Sequence, residues 1–224
     1  MRCGLLVMAT DFEPNLSILP APQRRLWPQL RGIPASFVLI GGTAIAVQLG
    51  HRSSVDFDFV SIEEFDPDVL LLELPLLRDC KTLQKAASTL TCLVEREAPI
   101  QISFFATPSI HLIAAPLVSA ATGVRIASLL DLAGMKAAVV QKRAEAKDYL
   151  DLDAIIHRGG IDLPTALAAA RSLYGRAFRP ELTLKSLCYF GDGNLDLLPQ
   201  ATKDRLAAAV QTTDLNQLPT VDRR

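Results

Sequence analysis

The chain has 224 residues, 50% apolar and 21% charged, with a formal net charge of −1. A chain of this length removes roughly 70–75% of its unfolded surface on folding, enough for a self-sufficient core, and its even charge excludes a general nucleic-acid coat protein. It holds no run near the ~18 apolar residues of a membrane span. The opening CGLLVMAT is too short for a secretory core and runs into Asp11 and Glu13, which reads as a cytoplasmic protein.

In chain order, Pro14, Pro20, Pro22, Pro28 and Pro34 leave room only for a short helix near Gln23 to Leu30. Phe37 to Ile40 reads as a strand ending in Gly41-Gly42. Thr43 to Leu49 reads as a short apolar helix stopped by Gly50. Val55 to Val60 alternates, with Val55, Phe57 and Phe59 on one face and Asp56 and Asp58 on the other. A helix over 67–77 follows, frayed by Pro75, then strands over 89–94 and 100–105 joined as a hairpin by EREAP. Beyond Gly123 the texture is Ala- and Leu-rich. Ser128 and Asp131 resemble a capping box opening a helix to about Lys142, with further helices from Lys147 to Gly159 and over 163–174, 182–190 and 203–210. The order predicts an α+β fold: a small mixed sheet in residues 1–120 and a helical half in residues 121–224. The four cysteines and three histidines lack the spacing of a zinc site or disulfide framework.

The chemistry is concentrated in GGTAIAVQLGHRSSVDFDF, residues 41 to 59. Asp56 and Asp58 project from one strand face with Cα atoms about 6.5–7 Å apart and repel by roughly 2–3 kcal/mol at an effective dielectric near 20. A divalent cation converts that repulsion into chelation, and Mg²⁺ suits few carboxylates with phosphates and water completing the shell. A solvated sheet face is the plain alternative. Gly41-Gly42, feeding a helix from a strand, lets backbone N–H groups approach an anion, and Thr43 adds a hydroxyl that could cap the helix or touch a phosphate. The conjunction places a phosphate cradle beside a metal-binding pair.

This combination resembles the first motif of the polymerase-β-like nucleotidyltransferase superfamily. More closely, residues 39 to 59 resemble the AbiEii/AbiGii (MenT-like) nucleotidyltransferase toxin family, whose K…R…KD-x-x-D segment is similar to LLDLAGMKAAVVQKRAEAKDYLDL and whose C-terminal signature is similar to LKSLCYFGDGN. ILPAPQRRLWPQL fits the approach to the first strand. The resemblance implies that Asp56 and Asp58 bind Mg²⁺ or Mn²⁺ with an incoming nucleoside triphosphate (NTP), and that Gly41, Gly42 and Thr43 face the triphosphate. It maps Lys136, Arg143, Lys147, Asp148 and Asp151 onto the second motif. It also implies the 3′ end of tRNA as acceptor and a separate antitoxin as protein partner.

Offsets of seven and eleven residues would put Lys136, Arg143 and Lys147 on one stripe of a continuous helix, facing charge that develops on a transferring phosphoryl group. A solvated face with Asp148 as a helix cap is the alternative. One departure stands out. Two-metal members carry a third carboxylate on a later strand, and here that face offers Gln101 and Ser103. Asp151, Glu95 or a single tightly held metal would have to serve instead. For the acceptor, RSLYGRAFRPELTLK sets Arg171, Arg176, Arg179 and Lys185 among Tyr174 and Phe178, which suits phosphates and unpaired bases; an ordinary basic surface with core aromatics is the alternative. A protein hydroxyl or small molecule as acceptor, and a non-catalytic nucleotide-binding module, remain as competing functions.

Overall fold

A computed structural model describes residues 11–221; CGLLVMAT, with Cys3, lies outside them, as do residues 222–224. The strands are β1 (Asp11–Phe12), β2 (Val38–Ile40), β3 (Phe57–Ser61), β4 (Lys81–Ala86), β5 (Thr89–Glu95), β6 (Pro99–Ala106), β7 (Leu117–Ser119) and β8 (Arg125–Ile126). The α-helices are α1 (Ala21–Leu26), α2 (Gly41–Leu49), α3 (Pro67–Glu73), α4 (Leu129–Val139), α5 (Ala146–His157), α6 (Leu163–Tyr174), α7 (Pro180–Ser186) and α8 (Gln200–Gln211).

The strands form one mixed sheet in the order β1-β7-β8-β2-β3-β6-β5-β4, larger than the small sheet expected. At its centre β3 runs antiparallel to β2 and parallel to β6, with Asp58 opposite both Ile40 and Ser103. β8 lies past residue 120 yet pairs with β2, so the sheet draws on both sides of that position.

Alternation along β3 decides which way each side chain faces. Phe57 and Phe59 are wholly buried: Trp27 packs on Phe57, and Phe59 stacks on Phe104, which Phe37 meets edge-on. Val55 does not join them. The strand begins at Phe57, and Val55 is 48% exposed in the preceding loop. Asp58 and Val60 face the opposite side, where α2 contacts α4 and α5. α4 crosses α6 so closely that a Cβ on Gly134 would stand 2.8 Å from the backbone of Ala169 and Ala170. The Ala-rich stretch of α6 makes that approach possible, and it fixes where α4 presents Lys136. Gly134→Val is expected to cost at least about 1–3 kcal/mol by overpacking, measurable by denaturant unfolding.

Ser128 caps α4 as expected, accepting from the Asp131 N–H, but the Asp131 carboxylate turns elsewhere. It accepts from the Ser128 hydroxyl and from the N–H groups of Ile113 and Ala114, tying the loop over 110–116 to the start of α4. Cys80 and Cys92, distant in sequence, are in contact, and burial pushes the Cys92 thiol up to about 12.

Candidate active site

The chain passes from β2 into α2 without a loop. Gly41 is the first residue of α2 and has φ +73°; a Cβ there would stand 3.2 Å from Oδ2 of Asp58. Any other residue would strain the turn and push on that carboxylate. The N-cap, Ile40, supplies no side-chain hydrogen bond. The first-turn N–H groups of α2 are therefore left for an outside acceptor, at the end of the helix that favours anions. Gly42 is glycine for a different reason: a Cβ would collide with Nη2 of Arg52 and lie 3.4 Å from Oδ2 of Asp151.

Thr43 requires a correction. Its side chain is buried and turned inward, donating to the Asp56 carbonyl and lying 2.8 Å from Oγ of Ser54. Its hydroxyl cannot face a triphosphate; it anchors the loop that delivers Asp56. Thr43→Val is accordingly expected to lower stability by about 1–3 kcal/mol, the cost of a buried unsatisfied carbonyl. In calorimetry any effect on NTP affinity should appear only with Mg²⁺ present, through the position of Asp56, and binding of the phosphates without metal should stay unchanged.

Asp56 and Asp58 are both half-buried. Burial pushes the Asp58 carboxyl above the ordinary carboxylate range. The Ser103 hydroxyl, donating to it, opposes this, Asp56 adds to it, and the charges of Lys136 and Lys147 oppose it. Among the described residues no three His, Cys, Asp or Glu side chains converge as a ready-made metal cage. A half-buried carboxylate raised by burial and by its neighbour's charge fits a cation all the same. The pair matches Mg²⁺ or Mn²⁺ held by two carboxylates, with phosphate oxygens and water completing the shell.

Behind the pair lies a buried charge network. Lys136 on α4 is 6% exposed, and its Nζ reaches Asp148 at 2.6 Å and Asp151 at 2.7 Å, both carboxylates fully buried on α5. Asp148 also accepts from Arg143 Nε at 2.7 Å. Asp151 also accepts from His51 Nε2 at 2.7 Å and from Arg52 Nε and Nη2 at 2.6 and 2.9 Å. Burial alone would raise both carboxyls. Arg143 and Lys136 hold Asp148 below its ordinary value, and His51, Arg52 and Lys136 hold Asp151 far below it.

Several expectations change here. Lys136, Arg143 and Lys147 do not share a helix, because α4 ends at Val139 and α5 begins at Ala146. Lys136 and Arg143 converge on Asp148 instead, while Lys147 pairs with Glu145 at 3.0 Å. Arg143 and Lys147 stay about half exposed, so their charges remain open to a ligand. Asp148 is not a helix cap: Glu145 occupies that position and Asp148 sits in the first turn with its carboxylate inside. Asp151 does not replace the third carboxylate as a base, since its oxygens are taken by three cationic or imidazole side chains and its affinity for a proton is very low. Glu95 does not reach in either. It pairs with Pro99, four residues along β6 from Ser103 and so roughly 13 Å away.

His51 and Arg52 were not anticipated. They follow Gly50 directly, with no periodicity to mark them, and only their position between the glycine turn and the paired aspartates hints at use. The GDGN segment proves structural. Asn194 accepts from the Ala146 N–H at 2.7 Å and so caps α5, the helix that carries Asp148 and Asp151. In the basic segment Arg171, Arg176, Arg179 and Lys185 are exposed, but Phe178 is buried and Tyr174 turns into a cavity lined by sheet residues.

The network sets the expected acid response. Groups with depressed folded values, Asp148 and Asp151, contribute stability that is present above about pH 4, the unfolded carboxylate value, and lost as pH falls below it. Burial raises Asp131, which contributes in the other direction, favouring the fold as pH falls toward its raised value. Stability of the metal-free protein should therefore rise slightly from neutral pH into mild acid and collapse below about pH 4, which urea midpoints across pH would reveal.

A strand, a glycine turn into a helix with no side-chain N-cap, and a returning strand that carries Asp58 just after Asp56, faced by the half-exposed cations Arg143 and Lys147, is the form of a nucleotidyltransferase, and comparison with known proteins agrees. The family model described as the nucleotidyl transferase AbiEii toxin of type IV toxin–antitoxin systems matches residues 30–223, and the chain belongs to that family. It is 33% identical over 163 residues to the uncharacterised protein aq_aa25 of Aquifex aeolicus (strain VF5), covering 72% of this chain and 77% of that one. Its fold is similar to that of MenT4, a nucleotidyltransferase toxin from Mycobacterium tuberculosis H37Rv, with a TM-score of 0.55 and 18% identity over 85% of this chain and 82% of the other. No helix among the described residues is long and apolar enough to cross a membrane.

Proposed function

We propose that this nucleotidyltransferase moves a nucleoside monophosphate from an NTP to the 3′ end of tRNA, in the cytoplasm, as the toxin of a pair whose antitoxin is a separate protein. The observation that carries the chemistry is the Asp58 carboxylate packed against the first turn of α2, within the fields of Lys136, Lys147 and Arg143. The acceptor hydroxyl attacks the α-phosphorus, the α–β bond breaks and pyrophosphate leaves. The α2 N–H groups bind the departing phosphates, and Arg143 and Lys147 offset their charge. Asp56 and Asp58 would hold Mg²⁺ or Mn²⁺, which when bound supplies Lewis-acid stabilisation at the reacting phosphate. Ser103 is no base, so the acceptor proton passes to solvent. The proposed division of labour follows the sequence: residues 1–120 supply the glycine turn and aspartates, residues 121–224 the cations. The exposed Arg171, Arg176, Arg179 and Lys185 support an RNA acceptor.

Incubation with each α-labelled NTP, Mg²⁺ and total tRNA tests this: label is expected on RNA, and its absence from RNA rejects the tRNA acceptor. A second reading, a nucleotide-binding module with no catalysis, is favoured by Ser103 standing beside Asp58 in place of a carboxylate; a protein or small molecule as acceptor keeps the chemistry and changes only its target. Nucleotide binding indifferent to Mg²⁺ would select the module, and label on protein or small molecule the changed acceptor.

A further inference from the structure

A cavity of about 500 Å³ opens on the same sheet face as Asp58, within the roughly 300–1,000 Å³ of small-molecule pockets. Its floor is Val38, Ile40 and Val60. Ile40 is the β2 partner of Asp58, and Val60 lies two residues further along β3 on the same face, about 6.5–7 Å from Asp58 between Cα atoms. Met135, next to Lys136 on α4, and Tyr174 at the end of α6 form another wall, and His111 completes the rim. The loop that carries His111 is the one Asp131 ties to α4. Among the described residues no protein group hydrogen-bonds the Tyr174 hydroxyl.

The position decides the occupant. The cavity's strand lining comes from β8, β2 and β3 (Arg125, Val38, Ile40, Val60 and Ser61), with Thr107 just past β6 at its rim, whereas Ser103 and the position of the missing carboxylate lie on β6 four residues earlier, roughly 13 Å back along the strand. A nucleotide whose terminal phosphates sit at the first turn of α2 and whose α-phosphate sits at Asp58 would extend its nucleoside along β2 and β3 toward Val60. The geometry points to this cavity as the nucleoside subsite of the NTP, with Val38, Ile40, Val60 and Met135 as apolar walls for the base and Tyr174 and His111 as its hydrogen-bonding partners. It rests on the nucleotidyl-transfer reading and deepens it. Tyr174, whose sequence context suggested RNA stacking, is thereby a specificity residue for the incoming nucleotide.

Calorimetry in Mg²⁺ compares the four NTPs with inorganic tripolyphosphate, which carries the phosphates and no nucleoside. The wild type is expected to bind its preferred NTP at least about tenfold more tightly than tripolyphosphate. Val60→Trp, which fills the cavity, should bring NTP affinity down to that of tripolyphosphate and leave the latter unchanged. Tyr174→Leu repeats the test without added volume, and Tyr174→Phe should shift the ratio of affinities among the four NTPs by about tenfold. Equal wild-type binding of NTP and tripolyphosphate overturns the subsite and leaves nucleotidyl transfer standing, as does NTP affinity unchanged in both Val60→Trp and Tyr174→Leu. A raised KM for the acceptor alone, with NTP affinity intact, overturns it by assigning the cavity to the acceptor. Failure of the wild type to bind any NTP removes the nucleotidyl-transfer reading itself.

Discussion

Asp58→Asn is expected to slow nucleotide transfer by about 10²–10³-fold while leaving the protein as stable as the wild type or more so. The two effects separate because Asp58 is placed for chemistry against the interest of the fold. Its carboxyl is half-buried, raised by burial and faced by Asp56, so the charge is a liability in the free protein. Asparagine keeps the shape and can still accept from Ser103, and it removes the repulsion. What it removes from the reaction is larger. The position where cation and α-phosphate meet loses one of two negative charges, and losing a single electrostatic contributor of this kind costs on the order of 10²–10³ in kcat. Single-turnover transfer of label and a thermal melt on the same sample are the two readings. Transfer within about threefold of wild type, well short of that loss, would take Asp58 out of the site. Lost transfer together with a large drop in melting temperature would make it a structural residue. A functional aspartate is the one case in which activity and stability move apart.

That aspartate was legible in the sequence because strand alternation is strict. Within β3 the parity opposite Phe57 and Phe59 belongs to Asp58, while Asp56 stands in the loop just before the strand, so alternation marked the first by its face and the second only by its spacing. Gly41-Gly42 was legible for a similar reason, since a strand turning straight into a helix needs glycine where φ is positive. The α6 helix, Leu163–Tyr174, falls where its apolar spacing puts it. Half of the sheet did not show. β4 is exposed along its whole length as an edge strand, so KTLQKA has no buried face to impose an apolar pattern. β1, β7 and β8 are two or three residues long, too short to repeat the two-residue alternation of a strand. The buried network was half visible. Lys136, Arg143 and Asp151 stood out as a motif, but their spacing suggested a continuous helix, and nothing in a linear sequence marks the break over 140–145 that folds Arg143 back on Asp148. His51 and Arg52 bond Asp151 across some hundred positions of sequence, a pairing only the tertiary fold supplies.

The expected result for Asp151→Asn follows from that pairing. With the charge gone, asparagine keeps one acceptor oxygen but sets an NH2 against the donors that meet the other, and Lys136 keeps only Asp148 as a carboxylate partner, so buried cationic groups are left undercompensated. Breaking a buried pair from one side typically costs about 3–5 kcal/mol, against a total stability of about 5–15 kcal/mol for a domain. At this chain length that corresponds to a melting temperature lower by very roughly 6–20 °C. Activity should fall too, through geometry. Arg52 is held over Gly42 by Asp151, and a freed guanidinium would move into the space where the first turn of α2 must meet phosphate. The rival account, in which Asp151 takes the acceptor proton, predicts something else: normal stability, lost transfer and disappearance of the acidic limb of the pH–rate profile. A carboxylate held far below its ordinary value by Lys136, Arg52 and His51 is a poor proton acceptor. Assayed in the cold, where the variant is still folded, residual transfer should therefore keep the wild-type pH profile at a reduced rate. A stable Asp151→Asn protein with its acidic limb erased would reverse the assignment and return Asp151 to the reaction itself.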